Sequence, residues 1–205
     1  IEGLHEALFA GPVLRALMFI SALMGGGMVA TGMVLWVKKR RQKLRADEAA
    51  SKGLVMTERL NVGVIVGLPI GVAVYFYANR LLPLDMAARA DWELHCMFIA
   101  WAAALVHGVL RKTHKSWAEQ MWFAAALFAG LPVLNALTSN VHLGRTLLAR
   151  NGDMGLASVD IWAFILGAAF AFIAWVASAE KRETAHSTKA LSAIDDKRGA
   201  SPASA

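Results

Sequence analysis

The chain has 205 residues, of which 57% are hydrophobic and only 18% are charged. The charges are concentrated in short intervals between long apolar runs, which is typical of a membrane protein and argues against a soluble helical bundle. The formal net charge of +6 is then explained by basic loops that face anionic membrane lipid, and it does not indicate a nucleic-acid-binding surface.

Five apolar runs follow one another along the chain, and each is long enough to cross a bilayer as an α-helix. They cover residues 16–37, 60–79, 94–110, 120–144 and 161–179. We therefore predict an all-α membrane protein with a bundle of five transmembrane helices over residues 16–179, as part of a larger bundle. Residues 1–15 are predicted to be a periplasmic lead-in, and the Ser-, Ala- and charge-rich segment 180–205 a disordered cytoplasmic tail.

Lysine and arginine predict the orientation of these helices. Segments 38–59, 111–119 and 180–205 together carry sixteen of these residues, whereas the rest of the chain carries five. The positive-inside rule places the sixteen in the cytoplasm, so that the N-terminus and segments 80–93 and 145–160 lie outside. Six of the seven tryptophans fall near the ends of the apolar runs, as expected for an interfacial belt: Trp36, Trp92, Trp117, Trp122, Trp162 and Trp175.

The chain begins with Ile1 on the predicted outer side and carries no signal peptide. A first helix that runs from outside to inside needs an upstream segment to carry its N-terminus across the membrane. We therefore expect at least one further span, and an external domain, before Ile1.

Small residues recur at every fourth position in three of the runs, most clearly at Gly63, Gly67 and Gly71. Such stripes let membrane helices pack closely, which is the favoured interpretation. A smooth face that accommodates a flat porphyrin is the alternative, and glycine alone does not separate the two.

Two histidines, His95 and His107, lie near opposite ends of the third run. An imidazole is costly in hydrocarbon unless it is paired, so an intramembrane histidine is a candidate functional residue. Twelve residues of helix correspond to a rise of about 18 Å and to faces about 120° apart. The two rings therefore cannot bind one metal ion, but they could serve two centres, one in each leaflet. Pairing with a neighbouring helix is the alternative for each.

The other histidines carry less information. His5 precedes the first run and His142 follows the fourth, both on the predicted outer side, whereas His114 lies in a basic turn and His186 in the tail. Cys96 is the only cysteine, so an intrachain disulfide and a Cys-x-x-Cys-His haem attachment motif are both excluded. A set of candidate ligands made of histidine alone favours haem held by neutral imidazoles.

The first forty residues resemble the PepSY-associated transmembrane family. The pattern is Leu4-His5, then Gly11, then Arg15 and an apolar run that ends in Thr31-Gly32 and Trp36 before a basic turn. The segment 12–14 stands where the family has a glycine directly before the arginine. The resemblance covers residues 4–45, and the later spans agree with the family only in topology and in the histidine-bearing third span.

That family includes iron-regulated inner-membrane proteins, among them siderophore reductases that resemble di-haem cytochromes. The resemblance implies that this chain is the C-terminal part of a protein whose missing N-terminal span has its own histidine and is followed by a periplasmic PepSY region. It also implies a ligand role for His5, which matches the family's Leu-His position. His95 and His107 are assigned from their depth in the membrane.

These observations lead to a di-haem b-type reductase that passes electrons across the bacterial inner membrane to ferric siderophore in the periplasm. We expect His5 and His95 to hold the outer haem, with His142 as the competing ligand. We expect His107 to hold the inner haem with a histidine of the missing span. The electron donor is a cytoplasmic reductant or a quinol. The alternative is a non-redox membrane component of iron or siderophore uptake.

The charge distribution yields a first prediction, on topology. A reporter fused after Lys43 or Lys181 should report the cytoplasm, and one fused after Asn151 the periplasm, because the basic segments are retained inside. Paired alkaline phosphatase and fluorescent-protein fusions measure this. A cytoplasmic signal at residue 151 would overturn the five-span topology.

Overall fold

The computed structural model describes residues 11–44, 49–138 and 159–178, and no strand occurs within these ranges. The described helices are α1 (Pro12–Gln42), α2 (Lys52–Ile65), α3 (Gly67–Leu81), α4 (Arg89–Leu110), α5 (Thr113–Thr138) and α6 (Val159–Ser178). Helices α2 and α3 form one span, so five spans are long and apolar enough to cross a membrane. The predicted all-α class is confirmed, and the chain is a multi-pass membrane protein.

The helices extend beyond the apolar runs into charged sequence. Helix α4 begins at Arg89 rather than at residue 94, and α5 begins at Thr113 rather than at residue 120. The segment between α4 and α5, predicted to be a nine-residue loop, is therefore reduced to residues 111–112. A helix satisfies its own backbone N–H and C=O groups, so continuing it through the headgroup region leaves fewer polar backbone groups to solvate.

The chain divides into two compact units, residues 1–61 and 62–205. In the first unit, Pro12 is the first residue of α1, a position where its missing N–H costs nothing. The Arg15 N–H donates to the Gly11 carbonyl at 3.0 Å, which closes the first turn. The predicted lead-in is therefore helical from Pro12 onward, while residues 1–10 and the predicted tail lie outside the described residues.

The break between α2 and α3 lies one turn before Pro69. Proline has no N–H to donate to the carbonyl of Ile65, four residues earlier, and its ring crowds that carbonyl. Hydrogen bonds continue on both sides of the break, from Val66 N–H to the Val62 carbonyl at 2.9 Å and from Ile70 N–H to the Val66 carbonyl at 3.1 Å. The two helices therefore remain one membrane span.

The glycine stripe of α2 and α3 packs directly on α4. A Cβ at Gly63 would lie 2.7 Å from the Cα of Leu105, and one at Gly67 would lie 2.9 Å from the Cβ of Ala104. At Gly71 the nearest atom would be a backbone carbonyl oxygen at 3.0 Å. These distances leave no room for a side chain, so this stripe serves close helix–helix packing.

Helix α6 packs closely against α5 through a glycine in the same way. A Cβ at Gly167 would lie 3.1 Å from the backbone nitrogen of Ala129. Beside it, the rings of Phe128 and Phe170 stack with centroids 5.8 Å apart. The buried apolar residues at the centre of unit 62–205 come from α3 to α6 and from the α2–α3 junction: Val66, Ile70, Ala73, Ala104, Ala124, Phe128, Leu131 and Ala163.

A second prediction compares two glycine-to-alanine substitutions. Gly63→Ala should lower the stability of the protein in detergent by about 1–3 kcal/mol, because the new methyl meets backbone that cannot move aside. Gly26→Ala is the control, since no atom lies within 4 Å of a Cβ built there, and alanine is the better helix former. Thermal unfolding followed by tryptophan fluorescence measures both, and equal effects would contradict the packing described.

Candidate functional site

The ring of His95 lies near the start of α4, and its residue is exposed. Its Nδ1 forms a hydrogen bond with the carbonyl oxygen of Asp91, one turn earlier in the helix. A carbonyl only accepts, so Nδ1 carries the proton and Nε2 carries a lone pair. The ring of Trp92 lies beside it, with centroids 5.6 Å apart. One nitrogen fixed by a backbone carbonyl and the other available is the arrangement of a metal-binding imidazole.

The ring of His107, in the last turn of α4, is held from both sides by α5. Its Nε2 lies 2.9 Å from Oε2 of Glu119. Its Nδ1 lies 3.2 Å from Nε2 of Gln120 and 3.4 Å from Oγ of Ser116. Neither ring nitrogen is therefore available to a metal while these contacts are intact.

The polar network around His107 extends to the turn between the two helices. Arg111 binds Glu119 through two hydrogen bonds, from Nη2 to Oε1 at 3.0 Å and from Nε to Oε2 at 3.2 Å. Gln120 donates to the carbonyl oxygen of Ala104 at 2.8 Å. We call this group, His107 with Arg111, Ser116, Glu119 and Gln120, the inner polar network.

Three members of the inner polar network are not predicted from the sequence: Ser116, Glu119 and Gln120. They are spaced three and four residues apart, so they share one face of α5. The two-residue turn at 111–112 brings that face against the last turn of α4. The spacing carries this signal only where the segment is helical, and the sequence places residues 111–119 between two apolar runs.

A second polar group lies at the connection between α3 and α4, at the end of α4 opposite to the inner polar network. Glu93 is only 4% exposed, and its Oε1 lies 3.1 Å from Nη1 of Arg89 and 3.1 Å from Nδ2 of Asn79. Arg89 also donates to the carbonyls of Asn79 and Leu82. The chain reverses just before this group at Ala88, whose φ of 53° is in the left-handed region. This group fixes the start of α4, two residues before His95.

A third polar pair joins α5 to α6. Asp160 is 3% exposed and Asn135 is 7% exposed. The amide of Asn135 donates to both carboxylate oxygens of Asp160, at 3.1 Å each. Buried carboxylates need such partners, because an unpaired charge in an apolar interior is very costly. Glu93 and Asp160 thus each have an amide partner at a helix end.

Of the predicted haem ligands, the structure describes His95 and His107, which lie at opposite ends of α4. His5 and His142 lie outside the described residues. His114 is exposed, at the start of α5. Within the described ranges, no group of three or more His, Cys, Asp or Glu side chains could hold a metal ion by itself. Ligand pairing between His5 and His95 stays a prediction.

The fold and these polar groups define a multi-pass α-helical membrane protein with histidines at both ends of one central span. Compared with known proteins, the chain matches no family model, no curated protein and no solved structure. Its function is therefore argued from the sequence resemblance and from the geometry of the two histidines.

A third prediction concerns the inner polar network. Gln120→Met should lower the free energy of unfolding by about 1–3 kcal/mol, because it removes the buried donor to Ala104 and His107 at nearly constant side-chain volume. Lys115→Met, at an exposed position of the same helix, is the control and should change stability little. Thermal unfolding in detergent measures both. If the two variants unfold alike, the network does not stabilise the α4–α5 hairpin.

Proposed function

We propose that this protein is a di-haem b-type transmembrane reductase, which passes electrons across the bacterial inner membrane to reduce ferric siderophore in the periplasm. The resemblance of residues 4–45 to the PepSY-associated transmembrane family supports the class. The observation that carries the proposal is the ring of His95, an exposed residue of α4 whose Nδ1 is held by the Asp91 carbonyl.

His95 would hold a haem in the outer leaflet. The hydrogen bond at Nδ1 fixes both the tautomer and the orientation of the ring, which is the usual support of a metal-bound imidazole. His95 is an exposed residue of α4, so its ring is accessible to a cofactor. His5 is the partner that the family resemblance supplies, and His142 is the competitor.

His107 fits the inner ligand role only if its present contacts with Glu119 and Gln120 are both given up. Binding through Nε2 would replace the contact with Glu119, and Glu119 would keep its two hydrogen bonds to Arg111. Nδ1 would then carry the proton, would lose the hydrogen bond from the amide of Gln120, and could donate to Ser116 Oγ, since a hydroxyl both donates and accepts. The inner polar network thus contains the supporting acceptor that a ligating imidazole needs. Its partner is the imidazole expected on the upstream span.

Haem, when bound, supplies reversible one-electron transfer, and its potential depends on ligands and burial. The residues of this chain would bind and orient the two groups about 18 Å apart along α4, one in each leaflet. Reduction of the substrate iron from Fe(III) to Fe(II) weakens its binding by hard oxygen ligands, so iron is released from an intact siderophore. The donor is a cytoplasmic reductant or a quinol.

The second candidate is a non-redox membrane component of iron or siderophore import. The observation in its favour is the His107 ring, both of whose nitrogens are bound by side chains of α5. Under this alternative, the histidines serve helix packing, and the break before Pro69 serves helix motion. The two candidate functions predict different absorption spectra, since only the reductase binds haem.

The fourth prediction tests the haem assignment in the full-length protein. The purified protein should show a Soret band and, on reduction with dithionite, an α-band. His95→Ala and His5→Ala should perturb the same haem and abolish ferric-siderophore reduction, because a bis-histidine centre needs both rings. His107→Ala should remove about half of the haem, since it is the ligand of only one of the two centres.

Three variants are compared with these. His114→Ala, exposed at the start of α5, and His142→Ala should leave the spectrum intact. Glu119→Gln should keep the haem content, because the amide preserves a hydrogen-bonding partner for Arg111. Absence of any Soret band from the full-length protein favours the import component. Loss of the outer haem in His142→Ala but not in His5→Ala would refute the pairing and leave the reductase standing.

A further inference from the structure

We propose that the beginning of α2 is a binding site for the headgroup of an anionic phospholipid. The site is a cleft of about 280 Å³ lined by Ala50, Lys52, Val55, Met56 and Arg59. It lies within the unit of residues 1–61, and its lining includes neither histidine of α4. The proposal is independent of the haem assignment.

The lining residues form one stripe of the helix with a charge at each end. Lys52 and Arg59 are seven residues apart, two turns on the same face, and Val55 and Met56 lie between them. The two cations are about 10 Å apart along the helix axis, a gap that their long side chains can close around one phosphate. The apolar pair between them offers contact to the glycerol and the first methylenes of an acyl chain.

The position of the cleft along its span places it at headgroup depth. The span Lys52–Leu81 has 30 residues, which corresponds to about 45 Å of helix. The hydrocarbon core is about 30 Å thick, so about ten residues of this span extend into the headgroup region. The charged and amide side chains Lys52, Glu58, Arg59 and Asn61 all fall within its first ten residues.

The carboxylate of Glu58, next to Arg59 in the sequence, is bound by a residue outside the cleft lining. Glu58 is 8% exposed, and both of its oxygens are bound by the guanidinium of Arg41, with Nη2 to Oε2 at 2.7 Å. Segment 38–59 carries eight lysines and arginines against three acidic residues, so the local field attracts anions. Clusters of this kind next to a membrane span are how proteins recognise acidic lipid headgroups.

The test is native mass spectrometry of the purified chain in detergent with added phosphatidylglycerol or phosphatidylcholine. The wild-type chain should retain phosphatidylglycerol in preference to phosphatidylcholine. Lys52→Gln with Arg59→Gln should weaken phosphatidylglycerol binding by about fivefold for each cation removed. The matched control is Lys112→Gln with Lys115→Gln, which removes the same charge at the α4–α5 turn and should leave binding unchanged.

Because Arg59 makes other contacts, Met56→Glu is a second variant, which adds a negative charge at a 44% exposed position without removing a cation. It should also weaken phosphatidylglycerol binding. Equal binding by wild type, both α2 variants and the control would overturn the site. Competition by inorganic phosphate at equimolar concentration would show a soluble-anion site and overturn the lipid assignment.

Discussion

The close approach of the α2–α3 glycine stripe to α4 is the contact on which the rest of unit 62–205 depends. At Gly63 the two backbones are so close that a single methyl group would overlap the Cα of Leu105. Trp101 of α4 adds a hydrogen bond to this contact, since its Nε1 donates to the Gly63 carbonyl at 3.2 Å. Lipid offers little hydrophobic drive for helix association, so this van der Waals contact has to be intimate. It fixes α4, and α4 carries both candidate histidines.

Polar contacts at the helix ends complete what the glycine contact begins. Glu93 is paired with Arg89 and Asn79 where α4 starts, and His107 is bound by Glu119 where it ends. Each is a buried or half-buried ionisable group whose partner lies on the adjoining helix or turn. In a low-dielectric surrounding such pairs are specific, because an unsatisfied partner is costly. The apolar middle of the bundle supplies buried contact area. The polar contacts at the helix ends set the positions of the helices along one another.

The two histidines of α4 have equivalent positions, near the two ends of one apolar run, but different surroundings in the structure. The sequence predicts both as ligands from their depth in the membrane alone. That depth does not show which side chains lie beside each ring. His95 is an exposed residue whose Nδ1 is bound by a carbonyl of its own helix, that of Asp91. His107 contacts α5 through both nitrogens. If haem binds at both ends of α4, the inner site has to give up contacts with side chains of α5.

The sequence by itself determined the class of fold and the number of spans, because a run of apolar residues of sufficient length has no other low-energy state in a membrane. It also located the packing stripe of Gly63, since a glycine at every fourth position follows from local helix geometry. Only the tertiary structure decided that α5 begins at Thr113 and turns Glu119 and Gln120 toward His107. The physical reason is that partner choice across helices depends on crossing and rotation, which a pattern along one chain segment does not encode.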